Sequence, residues 1–265
     1  MLPPKKSFGQ NFLRDENIAR KIVDSLHLNP DDVVIEIGPG QGDLTRFLIQ
    51  TSSRLVGIEL DHRAVAVLDE RFGSKLRLIE EDVLSVRLAD LSVQYGGNLC
   101  VVGNIPYYIT SEILFWLYGQ RTVVRHATLM MQVEVAERLI AKPDSKEYGI
   151  LSIFTQFYAE SRILFKVSRN SFFPRPRVDS AVVRFEFNSP PPVVDERLFK
   201  NIVRSTFGTR RKTIRNGLRM MGFTELQLEG LNFDLTGRPE HITLPEFIRL
   251  TNLLEPYSKE LALRF

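Results

Sequence analysis

Short apolar runs alternate with amphipathic stretches through the first two-thirds of the chain. The runs Val33–Ile37, Leu55–Leu60, Leu76–Ile79, Leu99–Val102 and Ala127–Met131 have the length and apolar density of strands. Between them, Gly42–Gln50, His62–Phe72 and Thr110–Leu117 carry apolar residues at helical spacing. Strands that are apolar throughout and alternate with helices predict a parallel sheet covered on both faces. Two further runs, Ile163–Val167 and Ala181–Phe187, bring the predicted strands to seven and suggest an antiparallel hairpin at the sheet edge.

The pattern changes at Asn188-Ser-Pro-Pro-Pro-Val-Val. Three consecutive prolines can neither continue a central strand nor start in mid-helix, so this segment is predicted to be a stiff connector. Beyond it, Arg197–Phe207, Arg211–Met221, Thr224–Leu231 and Pro245–Leu254 have helical spacing and no strand-like run intervenes. The predicted organisation is an α/β domain over residues 1–188 and a small all-helical domain over residues 193–265.

Composition narrows the class. Of the 265 residues, 43% are hydrophobic and 25% charged, ordinary globular values that exclude disordered, collagen-like and coiled-coil chains. No apolar run approaches the roughly 20 residues needed to span a bilayer. The first nine residues have neither the apolar core of a signal peptide nor the Arg/Ser-rich character of a transit peptide. The single cysteine, Cys100, excludes an internal disulfide and a cysteine-based zinc cage. A soluble, cytoplasmic protein without a metal is expected, with a monomer as the default. The net charge of +3 sits entirely beyond residue 188, where 12 Lys and Arg face 9 Asp and Glu.

Chemistry first shows in Val33-Val-Ile-Glu-Ile-Gly-Pro-Gly-Gln-Gly-Asp-Leu-Thr45. A glycine loop after the first strand lets a ligand approach the backbone at the carboxyl edge of the sheet. The dinucleotide fingerprint needs a glycine three places after the second one; Asp43 stands there, which argues against a pyrophosphate ligand. Glu59 closes the second strand, where a carboxylate can accept hydrogen bonds from a ribose diol. Asp82 closes the third, where it or its neighbouring backbone can read an adenine amine. The loop glycines Gly38 and Gly40 with these two acids outline a nucleoside pocket. It resembles that of the S-adenosylmethionine (SAM)-dependent methyltransferases, which implies a Rossmann-like fold and SAM as cofactor.

After the fourth strand comes Asn104-Ile-Pro-Tyr107. An exocyclic adenine amine is a poor nucleophile because its lone pair is delocalised into the ring. Two acceptors, the Asn104 side-chain oxygen and the Ile105 carbonyl, can bind its two N–H groups, localise the lone pair and stabilise the charge that develops on nitrogen. Pro106 fixes its own φ and limits the shapes of this turn. Tyr107 can stack on an extruded base. Tyr108 is equally a wall residue or simple packing. The four histidines form no motif and are expected to be structural.

These segments, with Lys6-Ser-Phe-Gly-Gln-Asn-Phe-Leu13, Glu81-Asp-Val-Leu84, Gln132-Val-Glu-Val-Ala-Glu-Arg138, Phe172-Phe-Pro-Arg-Pro-Arg-Val-Asp-Ser180 and Val203–Asn216, resemble the KsgA/RsmA family of small-subunit rRNA adenine dimethyltransferases over nearly the full chain. The resemblance implies transfer of two methyl groups to the N6 amine of each of two adjacent adenosines near the 3′ end of 16S rRNA, in immature 30S subunits. It implies that Asn11 and Leu13 enclose the methionine part of SAM, that Gly38, Glu59, Asp82 and Asn104 make other cofactor contacts, and that Phe172 helps hold the target base. Gly40 is added from loop geometry. Tyr108 stands where the family often has Asn, and Arg175 where proline is common. The Erm-type enzymes, which methylate 23S rRNA, share this core, but the Arg-Arg-Lys-Thr-Ile-Arg-Asn block resembles KsgA.

Arg204, Arg210, Arg211, Lys212, Arg215 and Arg219 fall within residues 201–219, which contain no acid. Arg211, Arg215 and Arg219 recur every four positions and form one stripe, while Ile214, Leu218 and Met221 form an apolar one. A basic stripe suits RNA phosphates. Lys5 and Lys6 are weaker candidates for the same partner.

Overall fold

The computed structural model describes Pro3 and residues 10–52, 54–187, 195–208 and 212–261, with 259–261 as backbone alone. The chain divides into two compact units, Met1–Ala136 with Glu160–Phe187, and Glu137–Ala159 with Asn188–Phe265. Residues 137–159, assigned by the sequence pattern to the first domain, thus fall in the second unit. They carry a helix, Ile150–Tyr158, whose Phe154 and Phe157 rings pack on Phe199 of the helix Glu196–Gly208. The proline-rich connector lies outside the described residues.

Among the described residues nine strands form: β1 (Phe12–Leu13), β2 (Val33–Ile37), β3 (Leu55–Ile58), β4 (Arg77–Ile79), β5 (Leu99–Asn104), β6 (Val124–Gln132), β7 (Ala159–Val167), β8 (Phe172–Phe173) and β9 (Ser180–Phe187). Seven make one sheet in the order β4-β3-β2-β5-β6-β9-β7, the mostly parallel seven-stranded sheet that was expected. From β4 to β6 every neighbour is parallel; β9 joins β6 antiparallel, and β7 is the edge beside it. The chain runs outward through β2, β3 and β4, then returns to lay β5 on the other side of β2. Order therefore reverses between β2 and β5, and a crevice opens beyond their carboxyl ends.

All five residues of β2 are buried, as a strand covered on both faces requires. One covering helix, Glu16–Asp24, starts where the Asp15 carboxylate accepts the N–H groups of Asn17 and Ile18 at 3.0 and 3.3 Å. It buries Ala19, Ile22 and Val23 in a cluster with Leu26, Val34, Leu48, Val102, Met130 and Val182. The carbonyls just past its end are satisfied from the sheet: buried Arg184 of β9 donates to Ser25 and Leu26 at 2.9 and 3.1 Å, and to the Glu186 carboxylate at 2.7 Å.

Beside this guanidinium lies His126 of β6, fully buried between Cys100 of β5 and Glu186 of β9 in register. Burial, with the charges of Arg184 and Arg125, holds its pKa down to about 3 from an ordinary 6.5. The folded protein thus binds fewer protons at this site than the unfolded chain between those values, so its contribution to stability is complete above about pH 6.5 and declines as pH falls toward 3. Urea denaturation of His126→Gln should show a shallower loss of stability from pH 6.5 to 4 than the wild type. An unchanged slope would assign the acid lability elsewhere.

Candidate active site

The crevice at the switch point holds a cleft enclosing about 1080 Å³ of space open to solvent. Its walls come from the loop after β2, the ends of β3 and β5, the segment after β4, and β1 with the two residues before it, a strand that pairs with β8. Every predicted cofactor residue lines it: Asn11, Leu13, Gly38, Gly40, Glu59, Asp82 and Asn104. Ile105, Pro106 and Tyr107 line it as well.

The loop owes its path to glycine at two positions. Gly38 and Gly40 have φ of +62° and +59°, a region that side chains disfavour. Nothing lies within 4 Å of where a Cβ on Gly38 would stand, so a ligand can reach this backbone directly. A Cβ on Gly40 would stand 3.1 Å from the Phe12 ring, which roofs the loop. The Gly40 N–H donates to Glu59 Oε2 at 2.9 Å, and the Asp61 N–H donates to Oε1 at 2.9 Å. Glu59 is thereby locked in one pose, with lone pairs on both oxygens left for two hydroxyl donors. That chemistry fits a ribose diol. Asp82 takes the N–H of Leu84 at 3.0 Å and stays exposed at the mouth.

Sequence reasoning passed over Glu36, although an acid inside an otherwise apolar strand is a legible signal. It is 2% exposed beneath the loop and accepts the Thr45 hydroxyl at 2.7 Å. Burial drives its pKa up to about 8, opposed by the Thr45 bond and reinforced by the charges of Glu59 and Asp43. Burial raises Glu59 and Asp43 also. The cleft floor is therefore a set of acids sharing low-dielectric space, a setting that favours a cationic ligand.

Asn104 ends β5. Its side-chain Nδ2 donates to the Asn11 carbonyl at 2.8 Å. A carbonyl can only accept, so the bond identifies the NH₂ end and leaves Oδ1 as the free end of the amide. The next N–H, of Ile105, donates to Met130 O at 3.2 Å, continuing the β5–β6 ladder one step past the strand. The Tyr107 hydroxyl shares a 2.7 Å hydrogen bond with Ser180 Oγ, and burial raises its pKa. Its ring is fixed against the start of β9. Tyr108 is 56% exposed on the cleft rim.

Phe172 is not brought to the cleft. It lies opposite Leu13 in the ribbon, 4% exposed, in the cluster with Leu13, Ile22 and Val182. The alternation of side chains along the two-residue strand sends Phe172 into the core and its neighbour Phe173 outward.

In the second unit, Arg204 and Lys212 are exposed, and Arg210 and Arg211 lie outside the described residues, as do Lys5 and Lys6. Arg215 and Arg219 share one face of the helix Ile214–Met220. Both meet Glu225, Arg215 at 2.5 Å and Arg219 at 3.6 Å. The acid-free window thus ends six residues short of an acid that folds back onto it and offsets half of that pair's charge.

The ribosomal RNA adenine dimethylase family model matches residues 2–237. The chain is 43% identical over 252 residues to ribosomal RNA small subunit methyltransferase A of Chlorobium phaeobacteroides (strain BS1), covering 95% of this chain and 94% of that one. Its fold matches the crystal structure of a dimethyladenosine transferase from Plasmodium falciparum with a TM-score of 0.75 at 24% identity, over 94% of this chain and 98% of the other. The crystal structure of the 23S rRNA methyltransferase ErmE matches with a TM-score of 0.68 at 26% identity, over 92% and 100%.

Because Glu36 holds its proton to about pH 8 in the fold but only to about 4.5 in the unfolded chain, the folded state binds more protons between those values and its stability falls as pH rises through them. Glu36→Gln should flatten that decline between pH 5 and 8 in denaturant titrations. A parallel decline in both proteins would show that Glu36 is ionised in the fold.

Proposed function

Because this chain belongs to the ribosomal RNA adenine dimethylase family, we propose that it uses SAM to convert two adjacent adenosines near the 3′ end of 16S rRNA, in immature 30S subunits in the cytoplasm, to N6,N6-dimethyladenosines. The observation that carries this reading is the Asn104 amide, held by its nitrogen so that its oxygen is the end left to accept. When bound, SAM supplies an electrophilic methyl group. Glu59 holds the ribose diol, Gly38 admits the ligand against its backbone, and Asp82 with its neighbouring N–H groups reads the adenine of the cofactor. Asn11 and Leu13 cover the methionine end.

On the substrate side, Asn104 Oδ1 and the Ile105 carbonyl accept the two N–H groups of the target amine. The lone pair is then drawn out of conjugation, and the positive charge that grows on nitrogen meets two oxygen dipoles already in place. No side chain has to act as a strong base, because an alkylated adenine amine carrying the extra proton is acidic enough to release it to water. After one transfer a single N–H remains, so one of the two acceptors suffices for the second. Tyr107 offers its ring to the extruded base, its tilt set by Ser180. The second unit supplies phosphate contacts through Arg204, Arg210, Arg211, Lys212, Arg215 and Arg219.

A second reading, methylation of 23S rRNA, is favoured by the likeness to ErmE. The higher identity to the small-subunit methyltransferase supports the first. Tritium transfer from labelled SAM into under-methylated 30S and 50S particles, with nucleoside analysis, separates them.

Asn104→Ala should lower methyl transfer to 30S particles by about 100-fold or more, the usual effect of losing one preorganised polar contact in a transition state, while SAM binding stays measurable. Full activity in that variant would refute the two-acceptor mechanism. Glu225→Gln should release Arg215 and Arg219 and steepen the salt dependence of RNA binding by about one in log–log slope. An unchanged slope would remove these two arginines from the phosphate contacts.

A further inference from the structure

Phe173 has no place in the chemistry above. It is 51% exposed, a large apolar surface left in water. In the ribbon it stands directly opposite Phe12, and residues paired in this way project from the same face. Phe12 lines the cleft and roofs Gly40, so Phe173 projects from the same face of the ribbon as a residue of the cleft wall. The Arg14 guanidinium lies over the Phe173 ring, 5.5 Å from its centroid, and its charge reaches Asp43 on the cleft wall. Phe173 is thus an exposed aromatic plate paired across the ribbon with a residue of the cleft wall, with a cation on one side.

The surrounding charge fits a polyanion. Arg175 and Arg177 follow on the same exposed loop, and among the described residues neither joins an ion pair. The nearby acids are committed to backbone: Asp15 caps its helix, and Asp179 accepts the Arg169 N–H at 2.9 Å. The Arg169 guanidinium donates to the Arg177 carbonyl at 3.0 Å, tying the two ends of the loop together.

We infer that Phe173, with Arg14 beside it, is a stacking platform for the base of a nucleotide flanking the target adenosine, and that Arg175 and Arg177 take the adjoining phosphates. Single-stranded nucleic acid is held in this way, by aromatic faces and cations that tolerate any base. The platform adds an RNA contact on the catalytic unit itself, separate from the basic helix of the second unit. It also gives a use to Arg175, which departs from the family pattern. The inference rests on the reading of the chain as an rRNA methyltransferase.

The test is steady-state methylation of under-methylated 30S particles by the full chain. Phe173→Ala should raise KM for the particle roughly tenfold with little change in kcat, in SAM affinity or in thermal midpoint. Phe173→Trp should restore the KM, whereas Phe173→Leu should not; a packing role would be met by leucine. Arg14→Ala should raise KM in the same sense. A photoreactive phenylalanine analogue at position 173 should cross-link to rRNA next to the modified adenosines. Unchanged KM in Phe173→Ala, equal rescue by leucine and tryptophan, or cross-linking to a ribosomal protein overturns the inference while leaving the methyltransferase intact. A wild-type protein that methylates no rRNA overturns the premise and the inference together.

Discussion

A hydrogen bond from the Asn104 side chain to the Asn11 carbonyl, 2.8 Å long, joins the end of the central strand β5 to the residue just before the ribbon strand β1, more than ninety residues away. Because a carbonyl can only accept, this contact decides which end of the amide is left to work. It requires that the N-terminal segment be docked before the site is complete. The docking is itself secured by the β1–β8 pairing, by the Arg14 N–H donating to Ser171 O at 2.7 Å, and by Leu13 and Phe172 packing in the core cluster with Ile22 and Val182. Site and core are therefore coupled through this ribbon, whose Leu13 belongs to both.

The floor of the cleft follows a different logic. Glu36, Asp43 and Glu59 lie close together in a space where ionised carboxylates are poorly solvated, and burial raises the pKa of each. Two backbone N–H groups fix Glu59 and one hydroxyl fixes Glu36. Such a cluster destabilises the empty fold at neutral pH and is relieved by a ligand that brings positive charge and hydroxyl donors, as a sulfonium nucleoside does. Binding and stability are thus tied to the same three side chains.

Much of this was legible in the sequence. Val33–Ile37 and His62–Phe72 form as the pattern predicts because their apolar periodicity is complete within each segment. The glycine loop and Asn104–Tyr107 were found because turn chemistry and acceptor placement are local properties. Boundaries slipped where polar residues are satisfied at a distance. β6 begins at Val124, not Ala127, because Arg125 reaches buried Asp32 at 2.7 Å and His126 is buried neutral. β3 stops at Ile58 because Glu59 turns to bind the Gly40 and Asp61 N–H groups. The helix after the glycine loop starts at Thr45, since the +82° φ of Gly42 prolongs the turn. Pairwise choices lie beyond the pattern: two adjacent phenylalanines look alike until a two-residue ribbon assigns one to the core and one to the exposed face. The pairing of Glu225 with Arg215 and Arg219 is not legible in the sequence, because charge cancellation across a turn is a tertiary fact.

A crystal structure of the chain with S-adenosylhomocysteine and adenosine would show whether the two oxygens meet the target amine. Two-acceptor binding places the adenine amine within about 2.7–3.2 Å of both Asn104 Oδ1 and the Ile105 carbonyl, with the Asn104 nitrogen still on Asn11. An adenine bound with its amine turned away from these oxygens, or an Asn104 amide flipped to present nitrogen, would contradict it.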